Sequence, residues 1–144
     1  MITPQTIALV KKHEGLRLTA YDDTDGLKTI GWGHLIKPNE DYSTITLEQA
    51  ESLLTSDLSQ AESDAKSLFD NFDDLCEARQ AVLIDMSFNL GREKLSHFHD
   101  MIAAVNDSNW TGAAYSMRQS LWYGQVKDRG IEDWHMILTG EFLC

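Results

Sequence analysis

The chain has 144 residues, of which 42% are apolar and 24% charged, a balance that supports one folded domain with its own core and excludes global disorder. Its formal net charge of −11, with twelve scattered Lys and Arg, argues against a nucleic-acid partner, whose phosphates need clustered cations. No apolar run approaches the roughly 20 residues that span a bilayer, so stable membrane association is not expected. Met1-Ile2-Thr3-Pro4-Gln5 lacks the basic region and apolar core of a secretory signal, which implies synthesis in the cytoplasm. Cys76 and Cys144 are too few for a disulfide framework and are expected as free thiols.

Thr3 and Pro4 read as the cap and first residue of a helix whose buried face is Ile7, Leu9 and Val10 and which Gly15 ends. Glu14 then falls at the C-terminal end, where the helix dipole disfavours a carboxylate and a structural residue would be Lys or Arg. Leu16 to Tyr21 and Leu27 to Trp32 read as two strands around the turn Asp22-Asp23-Thr24-Asp25-Gly26. After a polar loop, Thr46-Leu47-Glu48-Gln49 carries a capping-box pattern, opening a helix to about Leu68. Leu47, Ala50, Leu53, Leu54, Leu58 and Ala61 mark its apolar stripe. An acidic connector with Phe69 and Phe72 as anchors follows. Leu75 to Leu90 is apolar nearly all round and is expected as a central, buried helix capped by Gly91. Shorter helices are predicted over Leu95 to Val105, Trp110 to about Ser120 and Arg129 to about Leu138.

These elements give an α+β fold. Residues 1–144 form a single domain, with a small antiparallel sheet lobe at about 14–58 joined by a long helix to a helical lobe at about 1–13 and 66–144. A cleft between the lobes is the expected site.

Most chemistries lack their residues. His97-Phe98-His99 puts two histidines on different faces of a helix, with no third ligand, so no metal site and no cofactor is expected. Gly31-Trp32-Gly33 lacks the remaining glycine and the helix of a dinucleotide loop. Paired carboxylates remain. Glycosidic cleavage needs one acid to protonate the leaving oxygen and a carboxylate across the sugar, and Glu14 and Asp23 are of the right type. Spacing alone does not lift them above a solvated helix end and a polar turn.

The whole string does. Glu14-Gly15-Leu16-Arg17-Leu18, then Tyr21, Asp23, Thr24 and Gly26, then Thr29-Ile30-Gly31 and Gly33-His34-Leu35, closely resemble the phage-type lysozymes. The likeness continues through Thr46 to Glu51, Arg79 to Gly91, Trp110, Trp122-Tyr123, Gln125, Arg129, Thr139 and Gly140. What the resemblance implies is a lysozyme-like fold and a monomeric muramidase. Such an enzyme cleaves the β-1,4 bond between N-acetylmuramic acid and N-acetylglucosamine in peptidoglycan, reaching the cell wall after the membrane is permeabilised. On the family pattern Glu14 is the general acid, Asp23 acts on the opposite side and Thr29 holds the attacking water. Leu35 and Phe88 match sugar-contacting positions. Met101 and Ser116 occupy two more, where the family's type member has a serine and an asparagine. Arg129 pairs with the catalytic glutamate, His34 faces Asp57 of the long helix, and Asn89 supports the site. Two rivals stand beside this reading: a lytic transglycosylase, which uses an acid but no activated water, and a peptidoglycan-binding module without catalysis.

Overall fold

In a computed structural model, describing residues 2–143, the Thr3 side chain accepts the backbone N–H of Thr6 and starts α1 (Pro4–Glu14). Gly15, at φ 69°, ends the helix, and its N–H bonds the Lys11 carbonyl. The buried side chains are Thr6, Leu9 and Val10, whereas Ile7, expected inside, is half-buried.

Strands β1 (Arg17–Asp22), β2 (Lys28–Gly31) and β3 (His34–Leu35) form an antiparallel sheet in that order. Tyr21 faces Thr29 and Asp22 faces Lys28 across the first pair, and Ile30 faces His34 across the second. The two-residue β3 has too short an apolar pattern to be read from sequence. Gly31 and Gly33, both near φ +70°, fold it back on β2.

The long helix α2 (Leu47–Leu68) has the expected bounds and a complete capping box between Thr46 and Gln49. Ala50, Leu54, Leu58, Ala61 and Ala65 are buried, but Leu47, assigned to the stripe, is half exposed because it lies in the first turn. The connector buries Phe69 and Phe72, the latter opening a short 3-10 turn to Asp74. Cys76 is extended and caps α3 (Glu77–Leu90), so Leu75 precedes the helix. Residues 80–87 of α3 are all buried, including the polar Gln80, Asp85 and Ser87.

The predicted helix over Leu95 to Val105 is broken. Chain segment α4 (Arg92–Leu95) is followed by a non-helical Phe98, at ψ 58°, and then by α5 (His99–Asn106). Phe98 packs edge-on against Trp122, and this tertiary contact overrides the helical pattern. His97 and His99 lie on the surface on either side of it.

After α6 (Trp110–Arg118) comes α7 (Leu121–Val126), which was not expected and which Ser120 caps by accepting the Tyr123 N–H. One residue, Lys127, at φ 53° and ψ −115°, turns the chain into α8 (Asp128–Thr139). Buried residues of α1, β2, α2, α3, α5, α6, α7 and α8 make one continuous core. No helix among the described residues is long and apolar enough to cross a membrane. Cys76 is an exposed free thiol, while Cys144 lies outside the described residues.

Candidate active site

Glu14 is the last residue of α1, half-buried, and its Oε2 accepts a hydrogen bond of 2.6 Å from Arg129 Nη1. Gly33 sits directly against this carboxyl group. A Cβ there would lie 2.7 Å from Glu14 Cδ, closer than real side-chain contacts allow. Only glycine, which also tolerates the φ of +70°, lets the sheet turn approach the acid.

Arg129 is buried on α8 and its guanidinium is shared. Its Nε and Nη2 donate to the two oxygens of Asp85 at 2.9 and 2.7 Å, a bidentate pair. Burial opposes the charge on Arg129, but Asp85 and then Glu14 outweigh it and hold the guanidinium firmly protonated. Burial likewise opposes the Asp85 carboxylate, and Arg129 overrides it, keeping that acid below its ordinary range. Asp133, one turn along α8 from Arg129, is fully buried beside Asp85. Burial pushes Asp133 well above the carboxylate range, and the Asp85 charge pushes the same way.

On the solvent side, His13 Nε2 lies 2.9 Å from Glu132 Oε1, out of line for a hydrogen bond, and Lys12 Nζ reaches Glu132 at 2.7 Å. Burial holds His13 below the usual histidine range, so it is neutral at pH 7. A pocket of about 420 Å³ opens here, lined by Lys12, His13, Glu14, Asn89, Arg129 and the turn at Lys127. Asn89 is fixed by accepting the Trp122 indole N–H at 2.8 Å.

The hairpin carries the second acid. Asp23 Oδ1 accepts the backbone N–H groups of Asp25 and Leu27 at 2.9 and 2.8 Å, which locks the turn. The turn residues Asp22 and Asp25 are thus not alone in shaping it, because Asp23 contributes one of its oxygens. Thr29 is 2% exposed and its hydroxyl donates to the Leu27 carbonyl at 3.0 Å, leaving the oxygen able to accept. Tyr21, paired with Thr29 across the strands, stands in the fields of both acids. Burial raises its phenol most, with Glu14 and Asp23 adding to the effect.

The sugar-contact candidates are not gathered in one place. Leu35 is half exposed on β3 and Phe88 is half-buried at the end of α3. Met101 and Ser116 instead line a separate pocket of about 400 Å³ with His97, Phe98 and Tyr115. Met101 is only 1% exposed, so as positioned it offers almost no surface to a sugar. His34 is buried between two acids: Nδ1 lies 2.7 Å from Asp57, as the resemblance implies, and Nε2 lies 2.9 Å from Glu40, which it does not. Both partners lie away from the Glu14 pocket.

Sequence reasoning missed Asp85 and Asp133. The signals were present. Asp85 is the one ionised side chain in the buried stretch of α3, so it demanded a cation. Arg129 and Asp133 are four apart on one helix face.

Comparison with known proteins identifies the family. The family described as phage lysozyme matches residues 11–132, which include Glu14, Asp23, Thr29 and Arg129. The endolysin of Salmonella phage P22 is 31% identical across 90% of this chain and 88% of its own length. A probable T4-type lysozyme of Dictyostelium discoideum is 28% identical across 84% of this chain and 86% of that protein. The pre-baseplate central spike protein Gp5 of Enterobacteria phage T4 is 33% identical across 92% of this chain, which spans only 27% of the spike protein. With its matching fold, and with the match running through the residues just described, the chain belongs to the phage lysozyme family.

Proposed function

We propose that this protein is a peptidoglycan hydrolase of the muramidase type. It cleaves the β-1,4 bond between N-acetylmuramic acid and N-acetylglucosamine with inversion. The observation that carries the reading is Glu14: an acid at the end of a helix, half-buried, held by one buried arginine and open to a 420 Å³ pocket. The helix dipole disfavours a carboxylate at that end, and its placement there beside a pocket supports a chemical role.

In the proposed reaction Glu14, protonated, gives its proton to the glycosidic oxygen as the C1–O bond breaks. A water on the opposite face attacks C1 and loses its proton to Asp23, whose Oδ1 is tied to the turn while its other oxygen is available. Thr29 accepts a hydrogen bond from that water, since its own proton is engaged with Leu27. An inverting mechanism asks for carboxyls roughly 6.5–9.5 Å apart so that the water fits. Glycan strands are taken to lie between a sheet lobe of about residues 14–58 and the helical remainder. Leu35 and Phe88 then flank the acid, while Ser116 and the nearly buried Met101 belong to a separate pocket that a longer glycan strand would have to reach. The protein is expected to work as a monomer, on the wall, once the membrane is breached.

Digestion of peptidoglycan in ¹⁸O-labelled water tests the reaction. Muramic acid ends carrying one ¹⁸O, released first as the α-anomer, are expected. Unlabelled 1,6-anhydro ends would assign a lytic transglycosylase instead.

A further inference from the structure

The muramidase reading leaves a conflict at Glu14. Arg129 donates to the Glu14 carboxyl at 2.6 Å, yet a general acid must carry a proton when substrate arrives. The residues behind Arg129 offer a resolution. Its charge is already engaged by both oxygens of Asp85, so Glu14 meets a cation that another anion has largely neutralised.

Behind Asp85 lies a second acid, Asp133. Both carboxyls are fully buried, and with His13 they bring ligand-type oxygens and nitrogen within 4.8 Å of one another. Neither oxygen of Asp133 receives a donor from any described residue. An ionised carboxylate without exposure, donor or adjacent cation of its own is not sustained in a protein interior. A proton on Asp133, donated to Asp85, removes the second buried charge and gives Asp133 a partner. We propose that Asp85 and Asp133 share a single proton behind Arg129. This pair limits the grip of Arg129 on Glu14, and Asp85, the member that contacts Arg129, is the positioning residue for the proposed reaction.

The charge count is consistent. Arg129 and Asp85 cancel, Asp133 is neutral, and Glu14 alone decides whether the cluster carries a net charge. The other groups facing the pair are neutral His13 from α1 and Glu132 on α8, whose charge Lys12 offsets. No second cation reaches Asp85 among the described residues.

The inference rests on the muramidase reading for its catalytic half only, and two measurements separate the halves. The first is lysis of permeabilised Gram-negative cells against pH. Asp85→Asn removes the counter-charge, strengthens the hold of Arg129 on the Glu14 carboxylate and moves the alkaline limb down by about one pH unit. Asp133→Asn replaces a neutral acid with a neutral amide and keeps the limb where the parent has it. Loss by one factor at every pH in Asp85→Asn, or an equal shift in Asp133→Asn, would overturn the proposal.

The second is thermal unfolding, which needs no activity. Asp133 as a buried neutral acid must take up a proton on folding above about pH 4, the range in which the unfolded side chain is ionised. Stability from that group is full below pH 4 and declines as pH rises. Asp133→Asn therefore gains in melting temperature over the parent at pH 7 relative to pH 4. An unchanged difference between the two pH values would show Asp133 ionised and sink the pair, whereas an inactive parent with the expected melting pattern would sink only the muramidase reading.

Discussion

The contact between Gly33 and Glu14 is the sharpest constraint at the level of single residues. A side chain at position 33 meets the carboxyl group, and a left-handed backbone adds a cost of about 1–2 kcal/mol for any other residue. Gly26 supplies the control: its φ is +77° but nothing lies within 4 Å of a Cβ there. Gly33→Ala and Gly26→Ala should therefore lose similar stability on backbone grounds, read by chemical denaturation. Activity should fall at least tenfold further in Gly33→Ala, since small misplacement of a reacting group is costly. Equal activity in the two variants would mean that the acid needs no such close seat. The two glycines of Gly31-Trp32-Gly33 read in sequence as a bend or a close backbone approach, but what Gly33 approaches does not follow, because Glu14 is nineteen residues away. Asp23 shows a similar limit. Its chemical type was readable, whereas its second duty as the turn's own acceptor depends on backbone geometry.

Among elements, those defined by local chemistry were legible and those defined by packing were not. The capping box of α2, the Thr3-Pro4 start of α1 and the glycine that ends it are interactions within a few residues, and each was read correctly. The break between α4 and α5 comes from Phe98 turning to meet Trp122, a contact across 24 residues. The short α7 depends on a Ser120 cap with little apolar periodicity behind it. At β3, His34 ties the sheet to α2 through Asp57 and to the following loop through Glu40. The Asp57 hydrogen bond raises His34 above its ordinary value, burial works against this, and Glu40 adds to the rise. A histidine raised on folding stabilises fully below its unfolded value near 6.5 and loses this as pH climbs through the folded value. Glu40 is lowered, chiefly by the Lys37 N–H, so its contribution is present above its unfolded value and lost as pH falls. Asp57→Asn should accordingly cost about 2 kcal/mol at pH 5.5 and little at pH 9, measured by urea unfolding. A penalty independent of pH would show that His34 is neutral in the folded protein.

At the scale of the whole molecule, a net charge of −11 sits against an anionic polymer as the proposed substrate. Like-charge repulsion slows encounter and is screened over a Debye length of about 10 Å at 0.1 M salt. Lytic activity should therefore rise on going from low to moderate ionic strength; maximal activity at the lowest ionic strength would place local cations, not net charge, in control of encounter. The overall architecture followed from the resemblance and the helical patterning together, because the family string covers most of the chain. The buried network behind Arg129 did not follow, since Asp85 and Asp133 belong to helices that meet only in the folded protein. The central claim is that Glu14 supplies the proton that breaks the glycosidic bond. Clearing of permeabilised Gram-negative cells by the parent and by Glu14→Gln, alongside their binding to purified peptidoglycan, tests it most directly. Lysis by the parent, loss of at least a thousandfold in Glu14→Gln, and retained binding are expected. Substantial lysis by Glu14→Gln would contradict it.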